Sequence, residues 1–355
     1  MIKRIVLLAL LTLNTSSLLL ADTVVLYTWE DYISLDIGKR FTQATGHQLE
    51  ILAYSDDRAR NRTLLHGRKK IDLVILGSND LHFMQRLEKF TDLSSADIPN
   101  KKHINDNWQQ YCGDYGLAYS YGTTGIAYRS SMAKKPIQSL ADFFYPDPAL
   151  SGNIVYSLDD SLLVETANFM INPEDSASLS TQLGAITQLV KDHSKHVLAY
   201  EHGANYARTH GADSQMAMTL TYSSDLDYLA STTQQDDWEY VVPEEGTFLW
   251  VDCMATPSYR SLSPATIAFL EFINRPDIAA HNAEAVWLAT ANSSALKHTS
   301  EAYRKAPALI IDAATEKKIW LRQDLDQVNF TLYRNLTRQL SEQTKDLKHS
   351  KDKTL

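Results

Sequence analysis

This chain of 355 residues carries 43 acidic and 34 basic side chains, a formal net charge of −9. That balance argues against nucleic acid as a partner and is compatible with attracting a cation. The length corresponds to roughly two domains, and beyond the N-terminus no run approaches the about 18 apolar residues of a membrane span.

Residues 1–21 read as a secretory signal. Lys3 and Arg4 are the basic region, Ile5 to Leu13 the apolar run, and Leu18-Leu19-Leu20-Ala21 leads to a cleavage point before Asp22. Asn14-Thr15-Ser16-Ser17 interrupts the run, so it is a poor membrane span, and no cysteine near the cut provides a lipid anchor. An exported chain permits a disulfide. Cys112 and Cys253 either pair, closing a loop of about 140 residues, or remain two buried thiols.

The next segment is β-α-β-α-β. Thr23 to Thr28 is a strand, and Ile37, Phe41 and Ala44 recur at helical spacing up to Gly46. Leu49, Ile51 and Ala53 alternate as a second strand. Arg58 to His66 is a short helix, and Ile71 to Leu76 a buried strand ending at Gly77-Ser78-Asn79-Asp80. That order predicts a mostly parallel sheet. Tyr115 to Tyr128 is strand material broken at Gly122; Leu140 to Phe144 is a helix. A second set follows, with a strand at Ile154 to Tyr156, helices over Leu162 to Met170 and Ala185 to His193, and a strand at Met216 to Thr221. Phe248 to Ala255 is a strand and Ala265 to Ile273 a helix ending before Pro276. Val328, Leu332, Leu336 and Leu340 share a helical face, and Lys345 to Lys353 is a solvated tail.

Three strand ends carry the same chemistry. They are Trp29-Glu30-Asp31-Tyr32, Tyr222-Ser223-Ser224-Asp225 and Trp250-Val251-Asp252. In open α/β sheets such ends face the ligand crevice. Acids pair with cations and aromatic faces attract them, so the pattern points to a small organic cation. In the third segment the strand period of two puts Trp250 and Asp252 on one face and Val251 and Cys253 on the other.

At these residues the chain resembles the periplasmic polyamine-binding proteins, the spermidine/putrescine receptors of ABC importers. The resemblance runs from about Val24 to about Gln323. It rests on the Tyr27-Thr28-Trp29-Glu30-Asp31-Tyr32 turn, Ile71-Asp72-Leu73-Val74 and Gly122-Thr123-Thr124-Gly125-Ile126, and on Trp250-Val251-Asp252, Asn274-Arg275-Pro276-Asp277 and Ala291-Asn292. It implies a two-lobed α/β fold of the type II periplasmic binding proteins, each lobe a mostly parallel sheet flanked by helices, with a hinge between. Lobe 1 would be 22–127 plus 252–296, and lobe 2 would be 128–251 plus 297–355. It also implies a periplasmic monomer without a cofactor, whose partners are a polyamine and either an ABC permease or a membrane sensor protein.

Carried over position by position, the resemblance makes Asp31 an amine-binding acid with Trp29, Glu30 and Tyr32 beside it. Ser78 or Asn79 falls at a polar contact, and Asp160 (or Asp159) at an acid opening the helix of the second lobe. Tyr222 stands where the family stacks a tryptophan, Asp225 matches an acid of putrescine-type members, and Trp250 and Asp252 match the centre of the cleft. Arg322 or Gln323 falls near a glutamine contact. The chain departs from the pattern at Leu163, where the family usually has a glutamate, with Glu165 pointing elsewhere, and at Glu30, an added acid. These changes imply altered amine spacing. One branch of the family senses norspermidine or spermidine and reports to a membrane-bound cyclic-di-GMP enzyme, and the divergence fits that branch.

Polyamine ammonium groups are charged at neutral pH, so burying them requires paired carboxylates, and a ring over each adds roughly 0.5–2 kcal/mol. Glu30, Asp31, Asp160, Asp225 and Asp252 could serve a triamine or tetraamine. The same residues have plainer readings, with Asp31, Asp159 and Asp160 as helix caps, Tyr222 and Trp250 as core aromatics, and Glu30 as a solvated neighbour. Enzyme motifs are missing from the sequence: there is no Gly-x-Ser-x-Gly elbow, phosphate-binding loop or His-Glu-x-x-His. His193 and His196 are expected to be exposed. A glycosidase-like pair of acids is the enzyme alternative.

Overall fold

The computed structural model describes residues 21–54, 57–67, 69–156, 161–171, 179–320, 335 and 338. The expectations for signal residues 1–20, for Asp159, Asp160, Arg322 and Gln323, and for the helical positions Val328 to Leu340 and the tail lie outside them.

Ten strands carry the fold: β1 Thr23–Trp29, β2 Gln48–Tyr54, β3 Leu73–Gly77, β4 Leu117–Arg129, β5 Ile154–Val155, β6 Val197–Ala199, β7 Met218–Tyr222, β8 Trp238–Val241, β9 Thr247–Ala255 and β10 Ile319–Trp320. Their order is β2-β1-β3-β9-β4-β7-β5-β6, with β8 also on β4 and β10 on β9. The β2-β1-β3 and β7-β5-β6 pairings are parallel. Between them β9 and β4 run antiparallel to β3 and β7 and to each other, while β10 joins β9 in parallel. β1 and β3 are apolar on both faces and buried along nearly their whole length, as interior parallel strands are. Helix Ile37–Thr45 stops at Gly46, whose φ of +80° lets its N–H reach the carbonyl of Thr42.

Two large apolar clusters form. One gathers β1, β3 and helix Pro264–Ile273, and the other gathers helices Leu140–Phe144 and Ser161–Ile171 with β5 and β7. β4 starts in the first at Leu117 and ends in the second at Ile126 and Tyr128. β9 runs the opposite way. Its Phe248 ring lies 6.1 Å from Phe169 of the second cluster, and Val251, Cys253, Met254 and Ala255 are buried in the first.

The structure corrects or adds to four of these readings. β4 is continuous through Gly122 rather than broken there, because a Cβ at that position would come within 2.4 Å of the Trp250 ring and 2.6 Å of Ser223 Oγ. The glycine admits a neighbour and ends nothing. On β2, Ile51 and Ala53 are exposed while Tyr54 is buried. β2 is an edge strand whose covering helix reaches Leu49, 3.8 Å from a Cβ at Gly38, so the inward face passes to Leu52 and Tyr54. His193 is buried, packed on Phe143 and Tyr156, and burial lowers its pKa to about 3. Helix Leu179–His193 turns that side inward, and an imidazole kept neutral fits an apolar core. Helix Pro264–Ile273 ends before Pro276 as expected, and Pro276 then opens a further helix, Pro276–Val286, at its first position.

Cys112 and Cys253 are joined by a disulfide with Cα atoms 5.7 Å apart and a sequence separation of 141. Both are buried. Replacing both with alanine should lower stability by about 3–5 kcal/mol, the loop-closure entropy returned to the unfolded chain, as read from urea midpoints of oxidised protein and variant. Equal midpoints would show that the bridge adds nothing.

Candidate functional site

β1 delivers Trp29 to the end of the sheet, and the chain then turns through Glu30, Asp31 and Tyr32. Asp31 sits at φ +61°, a left-handed conformation that aspartate tolerates better than most residues. Hydrogen bonds from distant elements hold this turn. Tyr119 Oη donates to the Tyr32 carbonyl at 2.5 Å, Asn282 Nδ2 donates to Tyr119 Oη at 2.7 Å, and Ser34 N donates to Asn282 Oδ1 at 2.9 Å. Trp29 leans on Tyr54 from the end of β2, with ring centroids 4.6 Å apart.

Asp252 stands opposite Gly77 of β3 and Ser120 of β4, in the middle of the sheet. Only 6 % of it is exposed. Burial pushes its pKa up to about 7, against the hydrogen bond from Tyr32 and the charge of Arg60, which favour the carboxylate. The Tyr32 hydroxyl is in turn held well above its ordinary pKa, by burial first and then by Asp252. Among the described residues Asp252 has no ion-pair partner. Trp250, two residues earlier on the same face, donates from Nε1 to the Thr123 carbonyl at 3.3 Å. Its ring meets Tyr222 nearly edge-on, with centroids 6.2 Å apart at 83°.

Tyr222 ends β7, and its ring stacks on His202 at 6.0 Å. Asp225 opens helix Asp225–Thr233 and accepts from Thr221 Oγ1 and from the Tyr222 amide, with His202 Nε2 at 3.8 Å. An acid in the first turn of a helix also gains from the dipole. Its charge adds to the shift of the Tyr32 hydroxyl, so the two strand ends face a common space.

Trp29, Tyr32, Tyr222, Asp225, Trp250 and Asp252 are thus brought together. Other expected residues stand apart. Glu30 is 64 % exposed and lies 3.4 Å from Arg208, on helix Gly203–His210. Asp31 and Asn79 are exposed, and Ser78 begins helix Ser78–Gln85 one residue past Gly77. Asp160 and Arg322 lie outside the described residues.

The sequence reading passed over Tyr54, Arg60, Asp80, Tyr119, His202 and Asn282. Tyr54 ends β2 and Asp80 lies just past the end of β3, so the strand-end rule applied to every strand would have found them. Arg60 gave no signal, because Arg58 and Arg62 make the same helix look like a solvated basic face.

The family of bacterial extracellular solute-binding proteins matches residues 36–310. A norspermidine sensor of Vibrio cholerae is 31% identical over 300 residues, covering 83% of this chain and 82% of that protein. The putrescine-binding periplasmic protein SpuD of Pseudomonas aeruginosa is 24% identical over 327 residues, 86% of this chain and 88% of its own. Among solved structures, the spermidine/putrescine ABC transporter substrate-binding protein PotD of Streptococcus pneumoniae superposes with a TM-score of 0.77 at 20% identity, covering 91% of this chain and 99% of that one. The PotD lipoprotein of Treponema pallidum gives 0.73 at 17%, covering 90% and 99%. These likenesses establish the two-lobed α/β fold of periplasmic binding proteins.

Asp252 also makes stability depend on pH. Its carboxyl has an ordinary pKa near 3.8 and a folded value near 7, so between those limits the native chain holds a proton that the unfolded chain has lost. Ligand-free stability should therefore fall as pH rises from about 4 to about 7, by up to roughly 4 kcal/mol at 1.36 kcal/mol per unit. The Asp252→Asn variant should lack this fall and exceed the parent in stability at pH 7.5. Urea unfolding of both proteins at pH 4.5 and 7.5 checks it, and parallel pH profiles would refute it.

Proposed function

The chain belongs to the family of bacterial extracellular solute-binding proteins, and on that premise we propose that it is a periplasmic receptor for a linear triamine such as norspermidine or spermidine. One observation carries the reading. Asp252 is a buried carboxyl with no ion-pair partner among the described residues, hydrogen-bonded by Tyr32 and sharing a strand face with Trp250, whose ring meets Tyr222. A ligand ammonium would pair with it as carboxylate and so relieve the burial cost, while the rings would flank the methylenes and add cation–π attraction. Asp225 supplies a second acid from the other side. The two lobes, 22–127 plus 252–296 and 128–251 plus 297–355, would close on the ligand about β4 and β9, the strands that pass between the two cores.

The reading extends to signalling, in which the liganded receptor reports to a membrane-bound cyclic-di-GMP enzyme. Its support is the 31% identity to a protein named a norspermidine sensor, against 24% to a putrescine-binding relative. Delivery to an ABC permease is the second reading, favoured by the likeness to a transporter's substrate-binding protein. Both are binding roles for a monomer, and neither requires catalysis.

Calorimetry with putrescine, cadaverine, norspermidine, spermidine and spermine tests the ligand. A triamine should bind with Kd below 100 μM, and Trp250→Ala or Asp252→Asn should weaken it at least tenfold while the variants stay folded. Binding of none of the five, or full affinity in both variants, would sink the proposal.

A further inference from the structure

Beside Asp252 lies a second cluster of acids and rings that the proposed reading leaves unused. Helix Asp57–His66 carries Arg58, Arg60 and Arg62; the first and last are exposed, whereas Arg60 is 1 % exposed. Its guanidinium pairs with Asp57 and with Asp80 and donates to Tyr54 Oη at 3.2 Å. Its Cζ lies 5.2 Å from the centroid of the Tyr54 ring. Asn61 donates to the other oxygen of Asp80 at 3.0 Å, so the acids are held around the arginine. Two carboxylates and an aromatic face are the equipment a ligand ammonium needs. Here they hold a side chain of the protein.

The sheet places this cluster against the site. β2, β1, β3 and β9 are successive neighbours. Tyr54 ends β2, Trp29 ends β1, Asp80 lies in the first turn after β3, and Asp252 is in β9 opposite Gly77. The Tyr54 ring touches Trp29 on one side and carries Arg60 on the other. An ammonium paired with Asp252 would find the acids beyond it already neutralised, and a further ammonium would meet a buried like charge.

We propose that Arg60 is a specificity-determining residue that stands in for a ligand ammonium and closes this end of the cleft, so that the site rejects amines one charge longer than it holds. The inference rests on the polyamine reading and goes beyond it by fixing where the ligand ends. It assigns the length limit to a residue on helix Asp57–His66, away from the turn in which Asp31 sits.

Calorimetric Kd values for spermidine and spermine test it, measured on the wild type, on Arg60→Gln and on the double variant Asp57→Asn/Arg60→Gln. The double variant keeps the cluster's net charge and leaves Asp80 to receive an amine, which guards against unfolding by an orphaned pair of acids. The wild type should prefer the triamine at least tenfold. In each folded variant the spermine-to-spermidine affinity ratio should rise at least tenfold. A wild type that binds spermine as well as spermidine overturns the inference with no variant needed. So does a ratio that stays within twofold in a folded variant whose two affinities fall together, the pattern of a purely structural arginine. A wild type that binds no amine removes the receptor reading and this inference with it. Tight binding with an unchanged ratio removes the inference alone.

Discussion

A carboxyl group taken out of water resists ionisation, and Asp252 is held in that condition by the middle of the sheet itself. β3 and β4 flank it, the Tyr32 hydroxyl is hydrogen-bonded to it, and the charges of Arg60, Asp57 and Asp80 reach it. Water is the solvent such a group would choose, and the fold withholds it. The nearby groups tilt the balance without settling it, because Tyr32 and Arg60 favour the charged form while burial, Asp57 and Asp80 oppose it. A group so poised responds strongly to one added cation. The surrounding construction keeps it poised: the turn of Tyr32 is fixed through Tyr119 and Asn282, and β9 is pinned from behind by the disulfide.

β9 does this by dividing its residues between its two faces. Trp250 and Asp252 share the face that carries the candidate site, while Val251 and Cys253 are buried in the first core. Side chains that stabilise and side chains that bind therefore alternate along one strand. Because β4 and β9 cross between the cores in opposite directions, a change in the angle between the lobes would be absorbed in two strands paired with each other. The site lies where those strands meet the ends of β1 and β7, so closure and contact with ligand would be one movement.

Much of this was legible in the sequence where a residue's pattern had a single physical solution. The buried runs of β1 and β3, the stop at Gly46 and the shared face of Trp250 and Asp252 follow from periodicity and φ alone. The reading failed where a neighbour remote in sequence decided the outcome. Gly122 looked like a strand breaker because nothing local announces a tryptophan 128 positions later lying against it. Whether Glu30 is an added ligand acid or a solvated neighbour could not be decided locally, because Arg208, which sits 3.4 Å from it, lies 178 positions away. Arg60 could not be told from the exposed arginines on its helix, since its burial depends on Asp80 from the next strand's end. Asp225 and Asp252 were singled out by the strand-end rule, which concerns topology that local patterns do transmit.

Gly122 leaves a mark on how this protein could diversify. The Trp250 ring rests directly on the main chain of β4 there, with no side chain between them to trim or enlarge. Substitutions elsewhere cannot retune that wall by degrees, because any Cβ at Gly122 collides with it. Drift in ligand preference must then accumulate at the other rings and acids, in Tyr222, Asp225, Tyr32 and the cluster around Arg60. Among descendants of one ancestor the tryptophan and its glycine would persist or vanish as a pair, while the opposite wall wandered.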